Sequence, residues 1–127
     1  MKQITMFLLV ILLFSCKKES QETFGKTQNS NIESKTPELL GQELFEGKGN
    51  CVACHQVAQK TVGPSIQDIA KTYKDQNGSI VNFLKNDAKP IVDPSQYEVM
   101  KVNFAITKAM SDDELNALEV YINSKSK

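Results

Sequence analysis

The chain has 127 residues, enough for one domain once a leader is set aside. Its 15 Lys and 15 acidic residues cancel and it contains no Arg, so no basic excess exists to neutralise phosphates and nucleic acid is disfavoured as a partner. The cysteines number three, an odd count that a simple disulfide framework does not explain.

Residues 1–15 begin with Met1-Lys2 and continue into an apolar run over residues 6–14. The run is too short to span a bilayer, which takes about 20 apolar residues. A charged start followed by a short apolar core is the pattern of an export signal. Leu13-Phe14-Ser15-Cys16 closes it and resembles the lipobox of bacterial lipoproteins. That resemblance implies removal of residues 1–15 and acylation of Cys16, and several acyl chains anchor stably where one does not. Residue 17 is Lys rather than the Asp of inner-membrane retention, which favours the outer membrane. The expected location is therefore the periplasmic side of the envelope. Uncleaved anchoring, or cleavage that leaves Cys16 free, is the competing reading.

Residues 17–35 are almost entirely Lys, Glu, Ser, Gln, Thr and Asn, with only Phe24 and Ile32 as large apolar side chains. Such a composition cannot bury enough surface to offset ordering, and a flexible tether over residues 16–35 is expected. Nineteen such residues reach roughly 25 Å on average, from about 5–6 Å times the square root of their number.

Folded sequence is expected from residue 36 to 127. Thr36 can cap a helix and Pro37 suits its first position. Leu40, Leu44 and Phe45 recur at helical spacing until Gly47 and Gly49. Next comes Cys51-Val52-Ala53-Cys54-His55, the haem attachment pattern of c-type proteins. Two intervening residues let both sulfurs reach the two vinyl groups on one haem edge, and the following residue then projects over the iron. His55 is the only His in the chain, hence the only imidazole available to the metal. A redox dithiol would want a strand and a βαβ context, and a zinc site a full set of ligands; neither is present in the sequence.

Helices are expected around residues 65–73 and 79–86, then a loop over residues 94–100. The final helix opens with Ser111-Asp112-Asp113-Glu114, a capping box whose acidic residues also suit the helix dipole. Leu115, Leu118 and Ile122 share one face, with Tyr121 beside them. No stretch reads as paired strands, so the fold class is all-α: several short helices with long loops. A domain of 92 residues buries only about 60–65% of its unfolded surface, and a haem would fill the centre.

Across nearly all of residues 36–127 the sequence resembles class I, mono-haem cytochromes c. Gly41 and Phe45 match the glycine and aromatic of that family's amino-terminal helix, and Leu118 and Tyr121 match the leucine and aromatic of its carboxy-terminal helix. Gly63-Pro64 matches the loop whose Pro carbonyl accepts a bond from the proximal His, a contact that orients the ring and raises its basicity. The resemblance implies one covalently bound haem c per chain, thioethers at Cys51 and Cys54, His55 as proximal iron ligand, and Pro64 and Ile66 in the haem pocket. It also implies a Met sulfur on the far side of the iron. Outside the leader only Met100 and Met110 remain. Met110 precedes the Ser111 cap, where an apolar residue packs on the first turns of the helix, so Met100 is the expected distal ligand and Met110 the second candidate.

A His/Met pair raises the reduction potential and leaves no open coordination position. The family resemblance thus implies an electron shuttle rather than an enzyme. Its donor would be a quinol-oxidising complex or dehydrogenase and its acceptor a terminal oxidase or reductase. The alternatives are a haem-based sensor or minor haem enzyme with an open distal site, and a fixed subunit of a larger complex. Residues 36–127 hold 10 Lys and 12 acidic residues, with no strong lysine ring to mark a docking face.

Overall fold

The computed structural model describes residues 35–126, so the expected leader, Cys16 and nearly all of the tether lie outside the described residues. Within these bounds the chain forms six α-helices and two 3₁₀ turns, with no strand. The helices are α1 (Pro37–Glu46), α2 (Ile66–Asp75), α3 (Ile80–Leu84), α4 (Tyr97–Lys101), α5 (Phe104–Thr107) and α6 (Asp112–Ser124). The 3₁₀ turns cover Cys51–Ala53 and Pro94–Gln96.

The helix starts follow their caps. Thr36 Oγ1 accepts from Leu39 N at 3.3 Å, with Pro37 at the first helical position. Ser65 and Ser79 cap α2 and α3 in the same way, accepting from Asp68 N and Asn82 N. Ser111 and Glu114 form a reciprocal capping box on α6: Glu114 N donates to Ser111 Oγ at 3.2 Å and Ser111 N donates to Glu114 Oε2 at 2.9 Å. Each bond satisfies an amide that the first helical turn leaves without a partner.

The core forms where α1 crosses α6. A Cβ at Gly41 would lie 2.0 Å from the Ala117 carbonyl oxygen and 2.7 Å from Tyr121 Cβ. Only glycine permits that approach. One turn on, the Phe45 and Tyr121 rings pack tilted with centroids 5.4 Å apart, a favoured aromatic geometry. Leu44, Leu115, Leu118 and Ile122 are buried around this crossing, and α2 and α3 add Ile66, Ala70, Tyr73, Ile80 and Leu84. Surface ion pairs Lys48–Glu114 (2.6 Å) and Lys125–Glu38 (3.3 Å) link the two helices' flanks.

One expectation is corrected. Residues 94–100 are not a loop but a 3₁₀ turn running directly into α4. Pro94 starts the turn, and Asp93 and Gln96 hold it through Gln96 N donating to Asp93 O at 3.1 Å. Another short helix, α5, follows at once. Segments of four and five residues are too brief to show a helical period.

Candidate functional site

Residues of the cysteine motif are set on a tight turn. Asn50 adopts a left-handed conformation with φ 50°, which Asn tolerates better than most residues. Cys54 N and His55 N both donate to Cys51 O, at 3.1 and 3.0 Å. The two thiols are unbridged. Burial pushes the Cys51 thiol up to about 11, with the neighbouring Cys54 adding to the rise. A redox-active dithiol needs the opposite, a thiol lowered towards neutrality. Among the described residues no three His, Cys, Asp or Glu side chains converge as metal ligands.

His55 is held by the loop that follows. Its Nδ1 donates to the Pro64 carbonyl at 2.8 Å when the proton sits on that nitrogen. That tautomer leaves the Nε2 lone pair available to a metal. The loop is drawn under the ring by Gly63 N and Thr61 Oγ1, which both donate to Cys54 O at 2.9 and 2.7 Å. A Cβ at Gly63 would stand 2.4 Å from His55 Cε1 and 2.7 Å from Nδ1. The imidazole therefore lies directly against the Gly63 backbone.

Cys51, Cys54, His55, Gly63 and Pro64 form one wall of a cavity of about 220 Å³. Met100, Val99 and Val102 line the same cavity from α4 and the residue after it. Phe45, Ile69, Phe83, Leu84, Ile91 and Val92 supply further apolar lining. No Lys lines the cavity, and Asp93 is its one carboxylate. Asp93 accepts from Lys60 Nζ at 2.8 Å and from Ser95 Oγ at 2.5 Å. Those bonds hold its carboxyl below the usual carboxylate range. Tyr73, Phe83 and Tyr97 line the cavity, and their rings form a chain of contacts with the buried Phe104, with centroids 5.4–6.4 Å apart.

The structure thus brings Cys51, Cys54, His55, Pro64 and Met100 to one cavity. Met110 is elsewhere, 7% exposed in the same buried cluster as Leu115. Ile66 is also in that cluster, 1% exposed, and does not line the cavity; Ile69, one turn further along α2, does. Several contributors were not singled out from sequence. Asn103 Nδ2 donates to Gly49 O at 3.1 Å and ties the far end of the Met100 segment to the turn before Cys51. Lys60 and Asp93 tie its near end. Polar residues on loops carry no periodic signal, and only their placement reveals these bonds.

These residues fit a covalently attached haem. The wall is apolar, the two thiols stand beside an imidazole whose other nitrogen is already committed, and a thioether lines the same space. Comparison with known proteins agrees. The family model for cytochrome c matches residues 39–126. Cytochrome c-551 of Pseudomonas aeruginosa is 34% identical over 85 residues, covering 65% of this chain and 73% of that protein. Cytochrome c-551 of Pseudomonas denitrificans is 44% identical over 52 residues, covering 39% of this chain and 62% of the relative. Cytochrome c-552 of Nitrosomonas europaea is 57% identical over 30 residues, 24% of this chain and 29% of that protein. The match thus spans less than two thirds of the length of the latter two relatives. The chain belongs to the cytochrome c family, which carries covalently attached haem c, and its described residues form the all-α fold expected of it.

Proposed function

We propose that this chain is a lipid-anchored carrier of single electrons, with its haem iron ligated by His55 and Met100. The observation that carries the ligand assignment is that Met100 lines a cavity with His55, whereas Met110 is buried in the core and is not part of that lining. When bound, the haem supplies an iron centre that accepts and releases one electron.

The chain's own residues then have distinct tasks. Cys51 and Cys54 would hold the haem by two thioethers, so that it could not leave. Pro64 O orients His55 and increases its donor strength through the Nδ1–H bond. Met100 is a soft thioether donor that favours the reduced metal and so raises the potential. Phe45, Ile69, Phe83 and Leu84 keep water from the site, which limits reorganisation as charge changes. Were His55 and Met100 both to hold the iron, the site would suit transfer of electrons rather than binding of a substrate.

The lipobox-like Leu13-Phe14-Ser15-Cys16 and the polar composition of residues 17–35 support an acylated Cys16 followed by a tether, on the periplasmic side of the envelope and at the outer membrane in preference to the inner. Donor and acceptor are then respiratory: a quinol-oxidising complex or dehydrogenase on one side, a terminal oxidase or reductase on the other.

The ligand set is tested by absorbance of oxidised variants. Met100→Ala is expected to abolish the far-red methionine-to-iron charge-transfer band, and Met110→Ala to retain it at a cost of about 2–4 kcal/mol in stability. Retention of the band in Met100→Ala would overturn the assignment.

A further inference from the structure

The segment that carries Met100 is fastened to the segment that carries the cysteine motif by an ion pair whose carboxylate, Asp93, lines the cavity. We infer that Asp93, through Lys60, is a positioning residue that latches the Met100 segment over the cavity and sets how often the distal side opens. The inference rests on Met100 being the distal ligand.

Lys60 lies on the loop between His55 and Gly63, next to Thr61. That loop is itself pinned: Thr61 Oγ1 and Gly63 N both donate to Cys54 O, and Thr61 N donates to Gly63 O at 3.1 Å. Lys60 therefore projects from a base fixed to the haem-attachment turn. Its Nζ reaches Asp93 Oδ2 at 2.8 Å, 33 positions away in sequence. Asp93 is not a casual surface partner. Its side chain is only 17% exposed against 61% for Lys60, it lines the cavity, and its other oxygen accepts from Ser95 Oγ at 2.5 Å. The Asp93 carbonyl receives Gln96 N and so starts the 3₁₀ turn that runs into α4. Movement of Asp93 away from Lys60 thus moves the start of the rigid turn-and-helix unit on which Met100 sits. The far end of that unit is held independently by Asn103 on Gly49 O. With one end released, the unit can hinge about the other.

An ion pair with an exposed lysine is modest and salt-sensitive. A modest bias suffices here. The rate of exogenous ligand entry scales with the fraction of molecules in the open state, so loss of the latch multiplies that fraction directly.

The experiment is stopped-flow carbon monoxide binding to the reduced, haem-loaded full chain at low and high salt, with thermal unfolding measured in parallel. Asp93→Asn and Lys60→Gln are each expected to speed binding by roughly two- to five-fold at low salt, the range that an exposed pair supports. The double variant should be no faster than either single one. The charge-swapped Lys60→Asp/Asp93→Lys protein should move back towards the wild-type rate, and high salt should bring wild type up towards the variants. Equal rates in all five proteins would overturn the latch, as would acceleration by Asp93→Asn alone, which would leave Ser95 and the turn as the cause. Additive effects, or rates that follow the unfolding temperature alone, would also overturn it. Met100→Ala serves as the separate control: it should bind carbon monoxide quickly whatever the state of the latch. Slow binding in Met100→Ala would instead overturn the ligand assignment.

Discussion

Gly63 leaves the His55 ring nowhere to retreat. Any side chain there meets three ring atoms at 2.4–3.0 Å, so Gly63→Ala must push the imidazole off the bond it donates to Pro64 O. We expect a loss of about 1–3 kcal/mol, the usual cost of forcing a methyl into filled space, measured by urea unfolding of the holoprotein. The weakened Nδ1–H bond should also make His55 a poorer donor and raise the potential in a redox titration. Much of this site was legible from residues alone. A lone His after Cys-x-x-Cys, a Gly-Pro eight residues on and a methionine with no structural duty pointed to the three contacts that matter. Ile66 and Ile69 show the limit. Both are isoleucines on one face of α2, and sequence cannot tell which is deeper; the fold buries Ile66 in the core and turns Ile69 to the cavity.

Helix ends carry much of the order in a domain with such short elements. Ser111 and Glu114 satisfy each other's backbone amides, and Lys48 reaches Glu114 from the end of the α1 segment. The Lys48 bond, then the Ser111 amide, hold the Glu114 carboxyl below its ordinary value. A carboxyl lowered in the folded state contributes stability that is present above its unfolded value, near 4.5, and is lost as pH falls through the folded one. Unfolding temperatures of wild type and Glu114→Gln should therefore differ at neutral pH and converge in acid. A gap that persists below that range would show that Glu114 acts by shape rather than charge. The α1 and α6 starts were readable because Thr36 and Ser111 are cap residues before apolar periodicity, while α2 and α3 were expected only as helices around residues 65–73 and 79–86. α4 and α5 were not readable, because neither has a side-chain cap to mark its start, and their Tyr97 and Phe104 are ordered by packing on Phe83.

At the scale of the molecule, α1 and α6 clasp through Gly41 and the Phe45–Tyr121 pair, and the remaining helices wrap the cavity that this clasp leaves. The small core and the long stretch from residue 85 to 96 make sense together. A domain of this length is marginal without something to fill its centre, and the apolar cavity beside Cys51, Cys54 and His55 is where a haem completes it. Family membership accounts for that cofactor, and the proposed ligation of its iron by both His55 and Met100, which line one cavity, would make the site a carrier's. The most direct test is a redox titration of the intact holoprotein, followed by absorbance, with carbon monoxide added to the reduced end point. The account predicts one reversible one-electron step, a far-red band that is present in the oxidised protein and vanishes on reduction, and slow, incomplete carbon monoxide binding. Absence of the far-red band together with rapid, stoichiometric carbon monoxide binding would contradict it and indicate an open distal position.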